Sequence, residues 1–347
     1  MSVVQGGAYP SRAGLNIAAF RPRPHGHPHR MRPFDDINRL ERATWLDRPA
    51  TAARTVVQSL LRHQGIKDAL HGVWLGHPLH PGAAQFALGS FTSAAVLDAA
   101  RGPRSGSSRL IAAGLAATLP TVASGWADFA DAHEDQQRVG LVHAATNGTA
   151  VALFVTVLVQ RARGGSGRVA SVAGGVVASL GAVLGGHLGY RQALGANHAE
   201  DITHIGPADW QPLGPVADLP EGEPVRRRAG AVDVVVVRRG AEVFVLADRC
   251  SHLSAPLSDG ELVDADGDAR LVCPWHGSQF RVADGCVVHG PATASVPRFE
   301  TRTIGQSVET RVVPIPGVDA MPNRTETDLQ HDLSIANDAD TGVARHP

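Results

Sequence analysis

The sequence predicts a multidomain protein: an α-helical four-helix transmembrane bundle followed by an all-β domain. Three observations carry this expectation. Apolar stretches occupy residues 83–100, 109–127, 140–160 and 169–190. Valine-rich runs separated by tight turns begin after them. Two short loops lie among those runs, Cys250-Ser-His252 and Cys273-Pro-Trp-His276, each pairing one cysteine with one histidine.

Residues 1–70 are rich in Arg, Pro and His and include His25-Gly-His-Pro-His29. Such a composition reads as a basic, mostly flexible N-terminal tail. A short amphipathic helix is expected from Ala52 to Leu70. No signal peptide is visible, because no apolar core precedes a cleavage site.

Residues 72–190 form the transmembrane domain. Each apolar stretch is about 18–22 residues, enough for a helix to cross roughly 30 Å of hydrocarbon. Charges are nearly absent inside the stretches, and Gly and Ala abound, as in 173–178 and 181–186. Small residues let membrane helices pack closely. A soluble Ala-rich bundle would need polar faces at a 3.6-residue period, which these segments lack. Helix direction alternates, so His77, His80, Asp128, His133, His143 and His187 fall at one membrane face. Ionisable residues at membrane depth are candidate functional groups. Of these, His77, His80, Asp128, His143 and His187 form a candidate second site for haem, another metal or quinone protons. Helix capping and headgroup hydrogen bonding are the alternative. The carriers Leu75-Gly-His-Pro-Leu-His-Pro81, Ser124-Gly-Trp-Ala-Asp128, Val142-His143 and Gly186-His-Leu-Gly-Tyr190 resemble an uncharacterised bacterial membrane family of four helices. That resemblance implies topology and no activity.

Residues 191–209 link the bundle to the all-β domain, which spans 210–313. Strands are expected over Asp233–Arg238 and Glu242–Ala247, with Arg239-Gly240 as the turn between them. Next come the two Cys/His loops, in the order C-x-H … C-x2-H. Two thiolates can hold one iron and two imidazoles the other iron of a [2Fe–2S] cluster, and replacing thiolates by neutral imidazoles raises the potential. A structural zinc site accepts the same ligand types but usually places two Cys in one half and two His in the other. Cys250, His252, Cys273 and His276 are therefore the candidate iron ligands. Together with Trp210-Gln-Pro-Leu213, Leu219-Pro-Glu-Gly222, Gly285 and Gly290-Pro291, the loops Cys250–Leu257 and Cys273–Phe280 resemble a complete Rieske ferredoxin-type domain. In high-potential Rieske proteins an extra Cys in each loop forms a disulfide. Here Ser254 or Ala255 and Trp275 stand in those places, which implies the ferredoxin type and a lower potential. Arg281 departs from the family's usual Asp. Gly277 is expected to let the backbone approach the cluster where a Cβ would crowd it. Ser278 is expected either to hydrogen-bond a sulfur or to be a solvated turn serine. Cys286 is expected to be a buried strand thiol. The segment 314–347 is acidic and polar and reads as disordered.

The formal net charge of −1 gives no reason to expect nucleic acid, and three cysteines give no disulfide framework. Lipid and a redox donor and acceptor (reductase, quinol, oxidase or oxygenase) are the expected partners. The expected location is the bacterial cell membrane, multi-pass. Orientation signals conflict. Loops 101–109 and 161–168 carry arginines and no acid, which puts both termini outside. Cytoplasmic cluster assembly, the absence of an Arg-Arg pair ahead of the helices and the missing disulfide place the Rieske domain in the cytoplasm. Two function classes remain: a membrane-anchored electron carrier, or a membrane oxidoreductase that also uses the His/Asp face. A complete oxygenase would need a mononuclear iron centre of two His and a carboxylate. After Val313 only His331 and His346 remain.

Overall fold

The computed structural model describes residues 37–314. The His25–His29 tract, His331, His346 and residues 315–347 of the acidic tail lie outside the described residues. Residues 37–70, expected within a mostly flexible tail, are instead largely helical: α1 (Ile37–Glu41), α2 (Asp47–Leu60) and α3 (Gln64–His71). The helix expected over Ala52–Leu70 is interrupted, because Leu61 and His63 leave helical geometry. Long-range polar contacts hold this region to the bundle. Arg138 donates to the Asp47 carboxylate at 2.6 Å and to the Glu41 carbonyl at 2.7 Å. Glu41 also accepts from His187 Nε2 at 2.7 Å. Composition cannot reveal partners so distant in sequence. After α3 the chain turns at Gly72, whose φ of 90° and close approach to the His77 carbonyl exclude a side chain.

Four long helices follow: α4 (Leu79–Ala99), α5 (Arg104–Ala130), α6 (Glu134–Ala162) and α7 (Arg168–Gly186), the last continued by a π-helical turn, His187–Arg191. Among the described residues, α5, α6 and α7 with its extension are long and apolar enough to cross a membrane. α4 packs as the fourth helix of the bundle, but Gln85, Ser90, Thr92, Ser93 and Asp98 make it more polar. Small residues set the spacing: a Cβ on Gly175 would lie 2.5 Å from that of Ala95, and one on Gly114 2.7 Å from the Phe91 ring. Phe91 stacks on Phe154 at 4.3 Å in the interior. At the end away from the all-β domain, Arg161 clamps the buried Asp98 carboxylate at 2.6 Å, and Ser107 donates to it at 2.6 Å.

After α8 (Ile202–Ile205) come ten strands: β1 (Gln211–Pro215), β2 (Val225–Ala229), β3 (Val232–Arg239), β4 (Glu242–Ala247), β5 (Glu261–Ala265), β6 (Asp268–Val272), β7 (Gln279–Arg281), β8 (Val287–His289), β9 (Arg298–Ile304) and β10 (Ser307–Val312). All pair antiparallel, in a six-stranded sheet ordered β1-β10-β9-β4-β3-β2 and a four-stranded sheet ordered β5-β6-β7-β8. The continuous valine run of β3 follows from its position between two cores. Val234 and Val236 pack with Leu213, Phe299 and Val308. Val235 and Val237, on the other face, pack with Leu246, Leu257, Leu271 and Phe280. The second core carries the two Cys/His loops. Cys286 is not a buried strand thiol: it is half-exposed in the turn between β7 and β8, its N–H donating to Asp284 at 3.0 Å.

Candidate metal centre

The loop after β4 carries Cys250 and His252, and the loop between β6 and β7 carries Cys273 and His276. Their backbones are pinned internally. Cys250 N–H donates to the Ala255 carbonyl at 2.8 Å, and Cys273 N–H to the Ser278 carbonyl at 2.8 Å. Gly277 sits at φ 75°, a left-handed conformation that costs glycine little. No protein atom lies within 4 Å of where a Cβ would sit, so within the chain it is the turn's geometry that calls for glycine. Ser278 is fully buried and is no solvated turn residue; its Oγ accepts from Ala292 N–H at 2.9 Å, which leaves its hydroxyl proton to donate elsewhere. Arg281 pairs with Asp268 at 3.3 Å and Asp284 at 2.9 Å.

The donor set suits a two-iron cluster. Both thiols are buried and interact with each other. That interaction and burial push the Cys250 thiol up. Cys273 is held down to about 7, by Cys250 first and then, against the effect of burial, by the backbone N–H groups of Trp275 and His276. Amide donors aimed at sulfur are a recognised lever on cluster potential. The imidazoles of His252 and His276 meet edge to face, 5.0 Å between centroids. Burial, then the neighbouring His276, lowers His252 to about 3, so it is neutral, as a metal ligand must be. Its Nδ1 is buried and has no hydrogen-bond partner. An orphaned buried ring nitrogen is costly unless a metal takes its lone pair. Among the described residues, no group of three or more His, Cys, Asp or Glu is placed to hold one ion. Two protein ligands per iron is the pattern a [2Fe–2S] cluster needs, with sulfides completing each iron.

The imidazole side of this centre rests on the helix bundle. The rings of His133 and Trp275 are 5.7 Å apart, and those of His133 and His276 are 6.4 Å apart. Asp68 at the end of α3 accepts from His289 Nδ1 at 2.8 Å and from Gly290 N–H at 2.9 Å. His198 N–H donates to the Ser251 carbonyl at 2.9 Å. Behind this contact His71 is 2% exposed and bridges two carboxylates, Asp128 at 2.9 Å and Asp131 at 3.3 Å. A cavity of about 220 Å³ opens here, lined by His71, His77, Asp128, Asn197, His252 and Pro291 among others.

The candidate second site does not converge. His77 is exposed and its Nδ1 meets the Pro78 carbonyl at 3.1 Å. His80 and His143 approach to 6.2 Å between rings, each with Nδ1 on a backbone carbonyl, of Thr121 and of Gly181, at 2.9 Å, and among the described residues no third His, Cys, Asp or Glu joins them. His187 is taken by Glu41, and Asp128 by His71. Sequence reasoning did not single out His71, Asp131, Asp68 or Glu41. The one local signal was the proximity of His71 and Asp68 to the Leu75–Pro81 motif.

Two antiparallel sheets that hold paired Cys/His loops at one end define a class, the small β-domains that carry a two-iron cluster. Residues 209–300 match the family described as Rieske [2Fe-2S] domain, and residues 76–202 the family described as predicted membrane protein (DUF2231). The anthranilate 1,2-dioxygenase ferredoxin subunit of Burkholderia cepacia is 34% identical over 111 residues, 32% of this chain and 99% of that relative. The 3-phenylpropionate/cinnamic acid dioxygenase ferredoxin subunit of Escherichia coli K12 is 35% identical over 94 residues, 27% of this chain and 85% of that one. A solved ferredoxin of Sphingomonas yanoikuyae B1 is 28% identical, with a TM-score of 0.27 over 31% of this chain and 100% of that one. Through residues 209–300 the chain belongs to the Rieske [2Fe-2S] family, and the region that precedes it matches the DUF2231 predicted membrane protein family.

Proposed function

We propose that this chain is a membrane-anchored one-electron carrier, with Cys250 and Cys273 on one iron and His252 and His276 on the other. The observation that carries the ligand assignment is the buried, unpartnered Nδ1 of His252, with the His276 ring beside it. When bound, the cluster supplies one-electron redox chemistry. The residues hold it, aim amide donors at the sulfurs and keep both imidazoles neutral. The apolar helices α5–α7 serve as a multi-pass anchor in the bacterial cell membrane, with the Rieske domain on the cytoplasmic side. By likeness to the dioxygenase ferredoxin subunits, a reductase is the donor and an oxygenase or oxidase the acceptor. The test is electron paramagnetic resonance of the reduced, detergent-solubilised full chain. A rhombic Rieske signal is expected, and its loss in His276→Ala. An intact signal in that variant overturns the ligand assignment.

A second reading, a membrane oxidoreductase that takes electrons from quinol, draws on the cavity between His252 and the bundle. Reduction of the centre by a short-chain quinol, abolished by a bulky residue at Asn197, supports it. Equal rates in wild type and variant return the chain to a carrier served by a reductase.

A further inference from the structure

We propose that the Asp128–His71–Asp131 unit at the end of the helix bundle is part of the cluster's own environment and sets its reduction potential, with Asp131 favouring the oxidised form and His71 the reduced form. The inference rests on the reading that the four ligands hold a cluster, and it assigns to the membrane domain a task beyond anchoring.

The geometry brings this unit to the centre. Asp131 and His133 belong to the short turn between α5 and α6, and the His133 ring lies 6.4 Å from that of ligand His276. His71 and Asp128 line the same cavity as ligand His252. The contact is fixed from the other side by Asp68, which holds His289 and Gly290. It is also tight: a Cβ on Gly290 would lie 3.0 Å from Val73 Cγ2 and 3.6 Å from His71 Cβ. The imidazole edge of the centre therefore faces fixed protein charge across a partly buried contact. Charges in such a place act more strongly than on a wet surface, because less solvent screens them.

Each charge has a sign and a partner. Asp131 carries a negative charge that acts on both His252 and His276, against the burial that dominates each. His71 acts on His252 with the opposite sign. Burial alone would lower His71, but hydrogen bonds and charge from Asp128 and Asp131 raise it to about 9, so it is cationic near neutral pH. The other charged or titratable groups facing this contact are Lys67, which acts on Asp131, Arg54 and His133, which act on His276, His198, which acts on His252, and Asp68 with its partner His289. A negative charge beside the cluster opposes the arrival of an electron, and a positive charge favours it. Removing Asp131's charge must raise the potential, and removing that of His71 must lower it.

The opposite signs separate electrostatics from damage. Loosening the contact would move the potential the same way in both variants. The experiment is a spectroelectrochemical titration at pH 7 of the full chain in detergent, with the paramagnetic signal as a second readout. Asp131→Asn should increase the reduced-to-oxidised ratio at a fixed ambient potential by about threefold or more, and His71→Gln should decrease it by a similar factor. Asp131→Glu, which keeps the charge, should restore the wild-type midpoint. If Asp131→Asn does not fold, the sign of the His71→Gln shift decides alone. Unchanged midpoints with an intact signal, or shifts of the same sign, overturn the inference and leave the cluster reading standing. A wild-type chain without a cluster signal overturns both.

Discussion

Raising the pH should loosen the packing of α3 on the end of α5, beside the cluster domain, and His71 is the group that sets where. Its side chain is almost wholly buried, with one ring nitrogen on Asp128 and the other on Asp131. Both nitrogens can donate only in the imidazolium form. Burial disfavours that form, but the two carboxylates outweigh it and raise the pKa from 6.5 to about 9. A folded-state pKa above the unfolded value contributes stability that is fully present below pH 6.5. It is lost as pH rises through 9. The difference corresponds to roughly 3 kcal/mol at most. Asp131's depressed pKa, lowered by His71 against its own burial, reports the same contact from the other side and is not added. The assay is denaturant unfolding of the detergent-solubilised chain between pH 6 and 9.5, on wild type and His71→Gln. Wild type should lose stability across that window, and the variant should start lower and vary less. Equal pH profiles for the two proteins would refute the reasoning.

Other consequences follow from single contacts. Cys286→Ser should leave the paramagnetic signal intact, since Cys286 sits in the β7–β8 turn while the other two cysteines meet at the centre; loss of the signal would reassign a ligand. With no disulfide between the ligand loops, the midpoint should lie near the low end of the Rieske range, about −150 mV, and a value above roughly +200 mV would contradict the ferredoxin type. Arg161→Met should cost about 3–5 kcal/mol in a thermal melt, because it leaves the buried Asp98 carboxylate unpaired. Asp98→Ala in the same chain should recover much of that loss, and an additive double variant would sink the argument.

What could be read in advance divides by the range of the interaction. The strand pair β3–β4 was legible because the valine run and the Arg239-Gly240 turn are local features. Its burial on both faces was not, since that depends on a second core built from Leu257, Leu271 and Phe280. The four candidate ligands were legible because each pair sits in one short loop, where spacing alone limits what they can bind. The polar face of the bundle was only half legible. Helix alternation brings the histidines to one end, but it cannot say which neighbour takes each imidazole. His187 finds Glu41, 146 positions away, and His289 finds Asp68, 221 positions away. Those partners lie in a segment whose Arg, Pro and His content reads as tail, because composition averages over the few residues that dock.

The same docking explains why five polar residues read as a possible metal site are not arranged as one. A mononuclear site needs three or more donors converging on one point, with their lone pairs free. Here His80 and His143 place Nδ1 on backbone carbonyls of neighbouring helices, which does not occupy Nε2, but Asp128 and His187 are held by ion-pair partners and His77 is exposed, so no third free donor among the five joins those two. Apart from the exposed His77, each of these polar groups meets a partner from another segment of the bundle. The exception is the end of α5 and the turn after it, where Asp128 and Asp131 close on His71 beneath the cluster loops. Helix packing needs neither the second carboxylate nor the buried imidazolium. A redox centre whose imidazoles face this surface has a use for both, because charges of either sign fixed beside it shift its potential in opposite directions.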